Sequence, residues 1–267
     1  MCWMLNQEVL LYLTIMHENM EVLLFTAISL IVASVGSVAL AGLLLVLPSK
    51  RLDKISTYLI YLAGGTLLGA AFLGMVPKAV SLMDSSLVLK LVLLGILFFF
   101  VLEKFILWRS CRNKDCERHI HAVAPMILIG DAFHNAIDGI VIAASFLTSP
   151  EMGLFVTLSV VFHEIPQELG DFGILLKSGL SRKKALFYNM LSGSSAILTG
   201  IAAYFFLDMV KGIIPYVLAF SASSFLYIAL ADLIPEMHKK TKLIDSIVQI
   251  ILIASGILLI FIIKKIG

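Results

Sequence analysis

Two short stretches of this chain, DAFHNAIDG at 131–139 and FHEIPQELGD at 162–171, place carboxylates, imidazoles and amides inside otherwise apolar segments. Asp131, His134, Asn135 and Asp138 fall at i, i+3, i+4 and i+7, and His163, Glu164, Gln167, Glu168 and Asp171 at i, i+1, i+4, i+5 and i+8. On helices each set makes one polar stripe, because residues three and four apart share a face. A charged group at mid-bilayer costs about 2.5–3.5 kcal/mol on insertion scales. One buried His or Asn is readily explained as a hydrogen bond between helices. Nine such residues, with no Lys or Arg in the same stretches, call for a common partner, and a divalent cation supplies one. The histidines at ligand spacing set the pattern apart from a metal-free proton relay. Imidazole, carboxylate and amide oxygen suit Zn²⁺, Fe²⁺ or Mn²⁺, while the lack of a nearby thiolate argues against Cu(I).

The elements that must hold these stripes are membrane helices. Of 267 residues, 60% are hydrophobic and 14% charged, with a mean hydropathy of +1.02; soluble domains carry roughly 25% charged residues. Spanning the hydrocarbon takes about 20 mostly apolar residues. Eight stretches qualify, near 21–47, 55–79, 86–108, 122–147, 152–176, 185–210, 212–237 and 244–263. They show no alternation of period two, so the expected fold is all-α, a single transmembrane domain over 1–267 with eight helices. No linker, second domain or internal repeat is evident. The small-residue runs AGGTLLGAA (63–71) and SGSSAILTG (192–200) read as faces for close helix packing.

Charge sets the expected orientation. Lys50, Arg51 and Lys54 follow the first span; Arg109, Arg112, Lys114 and Arg118 the third; Lys177, Arg182, Lys183 and Lys184 the fifth; Lys239, Lys240 and Lys242 the seventh. The other side holds Lys78, Lys90, Lys211, Lys264 and Lys265. By the positive-inside rule the richer loops are cytosolic and both termini lie outside. The first twenty residues have only a short apolar run, 9–16, and no basic start, so they do not read as a signal peptide. Three cysteines, Cys2, Cys111 and Cys116, do not make a disulfide framework. No nucleic-acid partner and no cofactor are expected; the partners are the bilayer and the metal, as substrate.

Within the fifth span, Pro166 has no N–H and frees the carbonyl of Phe162, which predicts a kinked, partly unwound helix beside the stripe. Gly139 and Gly170 would allow close backbone approach there. HEIPQ (163–167) also falls one residue short of HExxH, the metalloprotease pattern in which a Glu acts as base beside a zinc-bound water. Gln167 in place of the second His, and a proline inside the motif, count against an enzyme.

The motifs HNAIDG (134–139), HEIPQELGDFGIL (163–175) and FLYIALADLIPE (225–236), with a looser match in AGGTLLGAAFLGMVPKA (63–79), resemble those of the ZIP (Zrt-/Irt-like) family of divalent metal transporters. The resemblance covers essentially the whole chain. It implies import of Zn²⁺, or Fe²⁺, Mn²⁺ or Cd²⁺, into the cytosol across the plasma membrane, and a homodimer. By position it implies a metal site of His134, Asp138, His163 and Gln167, an adjoining site with Asn135 and Glu164, and Glu168 as a further ligand. Asp232 and Glu236 would line the exit. Three departures stand out: Gln167 replaces a His, Gly74 and Lys78 replace a His and a Glu in the second span, and the loop after the third span is short, keeping Cys111, Cys116, His119 and His121 as a weak candidate metal cluster.

Overall fold

The chain is described by a computed structural model that covers the backbone of residues 20–110 and 119–266 and the side chains of 20–105, 125 and 127–265. Cys2, Cys111 and Cys116 lie outside the described residues, as do the side chains of His119 and His121. All regular structure among the described residues is helical. Eight helices follow one another: α1 (Met20–Leu44), α2 (Ser49–Leu82), α3 (Ser85–Ser110), α4 (His119–Phe146), α5 (Pro150–Lys177), α6 (Arg182–Met209), α7 (Lys211–His238) and α8 (Leu243–Ile266). Seven are long and apolar enough to cross a membrane. The exception, α5, has the length, 28 residues, but carries the second polar stripe.

α5 is the central helix and packs against α1, α2, α4, α6 and α8. Its ends are written in local chemistry. Ser149 caps the start by accepting from the Met152 N–H, with Pro150 in the first turn, where its missing N–H is harmless. At the other end Gly179 takes φ 91°, Gly179 N–H donates to Leu176 O and Leu180 N–H to Leu175 O, which satisfies two orphan carbonyls. The helix runs unbroken through Pro166, so the unwound turn expected there is not formed. Packing on five neighbours holds the segment helical at the cost of one backbone bond.

The irregular turns lie elsewhere. π-helical turns occupy Val32–Gly36 in α1, Ala70–Met75 in α2 and Ile228–Leu233 in α7. Those in α2 and α7 are both six residues long, and each is followed by an aliphatic residue and a proline, Val76-Pro77 and Ile234-Pro235. This shared design is invisible in residue identity, which is why no repeat stood out in the sequence. Pro77 frees the carbonyl of Leu73, and Lys264 Nζ from α8 donates to it at 2.5 Å.

Two helix pairs touch backbone to backbone. A methyl on Gly65 of α2 would lie 2.2 Å from Ile253 O of α8, and one on Gly139 of α4 would lie 2.1 Å from Ala196 O of α6. Hydroxyls reinforce the second pair: Ser195 donates to Ala132 O at 2.6 Å and Thr199 to Ala136 O at 2.8 Å. Gly170, by contrast, meets nothing within 4 Å, so it makes no close approach. Outward-facing Leu93, Leu94, Ile250 and Ile251 present α3 and α8 to an apolar surround.

Candidate metal centre

α4 and α5 run antiparallel with their polar stripes facing each other. Four side chains meet between them: His134 Nε2 lies 3.2 Å from His163 Nε2, 3.3 Å from Glu164 Oε1 and 3.7 Å from Asp138 Oδ2. His163 Nε2 lies 3.1 Å from Asp138 Oδ2 and 3.6 Å from Glu164 Oε1. One ligand atom from each of the four falls within 4.8 Å of all the others. Asp138, His163 and Glu164 are buried, and His134 keeps 20% of its side chain exposed.

The tautomer of His163 is fixed from outside the cluster. Its Nδ1 is 2.8 Å from the carbonyl of Ser159, which can only accept, so Nδ1 carries the hydrogen. In the neutral ring Nε2 is then a bare lone pair aimed at the cluster, the arrangement metal-binding imidazoles use. Ser159 is itself tied to α2, its hydroxyl reaching Thr66 O at 3.2 Å. Both oxygens of Asp138 and Oε1 of Glu164 have no hydrogen-bond partner among the described residues. No Lys or Arg is buried among them either. Two imidazole nitrogens and two carboxylates gathered this way are donors of the kind that can hold a divalent ion.

A second layer adjoins the first about one helical turn along. Asn135 Nδ2 donates to Asp131 Oδ1 at 3.0 Å and reaches Glu164 Oε2 at 3.4 Å. Gln167 Nε2 donates to Asp131 Oδ1 at 3.3 Å, and Ser192 of α6 donates to Asp131 Oδ2 at 2.5 Å. Glu164, expected in the adjoining site, sits in the central four. Gln167, expected in the central four, turns its amide N–H to Asp131. Asn135 and Glu168 lie in the second layer, where Glu168 is fully buried. Asp171 is only partly buried.

A cavity of about 250 Å³ opens beside the central four, lined by His134 and Gln167 together with Glu103, Tyr227 and Asp232. Tyr227 donates its hydroxyl to Glu103. Glu103 was not singled out in the sequence; a lone carboxylate near the end of the apolar run LVLLGILFFFVLEKF was the signal. Asp232 belongs to this cavity, whereas Glu236 is exposed and pairs with Lys239. A separate cavity of about 260 Å³ lies at the opposite end, lined by Gly74, Lys78, Glu151, Phe155 and Lys264. Gly74, which stands where the resemblance has a His, gives up its space to Phe155: a methyl there would sit 2.3 Å from the ring.

The sequence profile of ZIP Zinc transporters matches residues 109–264, more than half of the chain, and takes in both polar stripes. The chain belongs to the ZIP zinc transporter family. It is a family of transporters rather than enzymes, which disposes of the protease alternative, and it makes this an integral membrane protein. Among curated ZIP proteins, zinc transporter ZIP6 of Homo sapiens is 38% identical over 129 residues, 48% of this chain and 17% of its own length. Zinc transporter zipt-7.2 of Caenorhabditis elegans is 33% identical over 151 residues, 55% of this chain and 33% of its own. Metal cation symporter ZIP14 of Danio rerio is 39% identical over 130 residues, 46% of this chain and 24% of its own. The aligned part thus spans no more than a third of these ZIP relatives.

Proposed function

We propose that this protein carries divalent metal cations, zinc foremost, across a membrane into the cytosol, with His134, Asp138, His163 and Glu164 as the central stopping point. The observation that carries this reading is the buried cluster itself: two imidazoles and two carboxylates within 4.8 Å, with no cationic side chain buried near them. Asn135, Gln167 and Glu168 serve the ion from the adjoining layer. Direction follows from charge and shape together. The basic loops mark the side of Glu103 and Asp232 as cytosolic, and the cavity on that side reaches His134. The cavity on the other side has Phe155 in its wall and none of the central four. The arrangement is that of a carrier open inward and closed outward, one of the two states that alternating access requires. On the family resemblance the proposal extends to the plasma membrane as location and to a homodimer.

Radiolabelled zinc uptake into proteoliposomes, with other divalent ions as competitors, tests the reading. His134→Ala and His163→Ala should each abolish uptake while the protein still inserts and purifies as the wild type does. Wild-type uptake in either variant would refute it.

A further inference from the structure

The cavity at the end away from the basic loops has the wrong sign for a cation. Its wall holds Lys78 of α2 and Lys264 of α8 against one carboxylate, Glu151 of α5. Among the described residues Glu151 pairs with neither lysine, and the Lys78 ammonium has no hydrogen-bond or ion-pair partner. Lys78 is half-buried rather than a fully solvated surface charge. Lysines at the ends of membrane spans reach for the interface, and cations in the last turn of a helix suit its dipole. The exposed Lys265 answers to that description. Lys264 does more: its Nζ is tied across to Leu73 O of α2 at 2.5 Å, which holds it at the cavity wall with two of its three N–H donors unused.

Further donors line the same space. α5 starts there, and the N-terminus of this 28-residue helix, whose first-turn N–H groups have no acceptor within the helix, favours an anion. Ser149 accepts from the Met152 N–H at 3.2 Å, and its own O–H has no acceptor among the described residues. We propose that this cavity binds a phosphate-type oxyanion, held by Lys78 and Lys264 with the Ser149 hydroxyl beside them. A phosphate presents several acceptor oxygens at once, which suits donors arriving from three parts of the chain, and lysine serves phosphate as a point charge. The same group comes from two sources, the headgroup of an anionic phospholipid and free inorganic phosphate. Lys78 stands where the resemblance has a Glu, so the exchange that removes a metal ligand supplies the charge an anion needs. A bound anion also cancels the positive charge that a metal ion meets on entering. None of the central four lines this cavity, so the inference does not depend on their binding a metal.

Two metal-free measurements on the full chain separate the sources. Equilibrium dialysis in detergent with radiolabelled inorganic phosphate reads the free anion. Native mass spectrometry of protein released from nanodiscs of phosphatidylcholine, with and without phosphatidylglycerol, reads retained lipid. One phosphate or one phosphatidylglycerol per chain is expected; phosphate alone identifies the free anion, and the lipid alone identifies the headgroup. Lys78→Gln and Lys264→Gln should each weaken whichever ligand binds at least tenfold. Glu151→Gln should tighten it several-fold by removing the negative charge from the wall, a gain that loss of fold cannot produce. Size-exclusion and circular dichroism confirm that the lysine variants are folded, and Glu151→Gln decides the point where they are not. No binding of either probe by the wild type, or binding that the lysine substitutions leave unchanged in folded protein, would overturn the site. So would a Glu151→Gln variant that binds no tighter than the wild type.

Discussion

Asp138→Asn separates metal binding from folding, because the two should move in opposite directions. Both Asp138 oxygens are buried without a hydrogen-bond partner among the described residues, and Oδ2 lies 3.1 Å from the His163 Nε2 lone pair. An amide of the same shape turns its N–H₂ toward that lone pair and makes a bond the carboxylate cannot. Satisfying a buried orphan stabilises by about 1–3 kcal/mol, so the metal-free variant should melt several degrees above the metal-free wild type. Zinc, however, loses an anionic ligand of the central four. Changes beyond the first ligands already cost metal sites about 10–100-fold in affinity, so a 100-fold loss is a conservative figure. At zinc 100 times the wild-type Kd, binding stabilises the wild type by about 2.7 kcal/mol. The same concentration then equals the variant's Kd and stabilises it by only about 0.4 kcal/mol. Thermal melts in detergent, with and without zinc, measure both quantities. A metal-free variant that melts lower than the wild type, with its zinc shift intact, would refute the reasoning on both counts.

Gln167→His should tighten zinc binding, because an imidazole beside His134 is a stronger zinc ligand than an amide; competition titrations against a zinc chelator compare variant and wild type. Gly139→Val puts a branched side chain where a methyl already lies 2.1 Å from Ala196 O, so α4 and α6 must separate, with about 1–3 kcal/mol lost in a denaturant titration. Glu103→Gln keeps the shape of the cavity beside His134 and removes a carboxylate from its wall; zinc uptake should slow while equilibrium zinc binding to the central four stays within about twofold, since 1.4 kcal/mol corresponds to tenfold.

Much of the fold is legible in the residues because a bilayer leaves so few solutions. Backbone polar groups must be satisfied within each span, so a run of apolar residues of the right length is a helix. Seven spans announce themselves that way. The eighth, α5, is diluted by His163, Glu164, Gln167, Glu168 and Asp171, and the same dilution reveals the site. The polar stripes on α4 and α5 were legible because helical periodicity fixes which residues share a face. Pro166 misled, since the cost of one missing backbone bond is local while the packing that overrides it comes from helices far away in sequence. The run SGSSAILTG was read for its small size; its hydroxyls at Ser192, Ser195 and Thr199 all reach α4, and their targets could not be known before the two helices were placed together.

The sequence by itself determined the inventory and the register: eight spans, nine polar residues on two stripes, and the ZIP motifs that contain them. Tertiary structure alone decided the assignment within that inventory. Glu164 and Gln167 are three residues apart on one helix, and periodicity ranks them equally; only the rotation of α5 against α4 sends Glu164 into the central four and the Gln167 amide to Asp131. Glu103 and Asp232 are distant in sequence and come to one cavity because α3 packs on α7. The reason is physical: period and hydropathy are properties of a single helix, whereas a metal site needs atoms from several helices to converge within a few ångströms, and that convergence is set by how the helices pack.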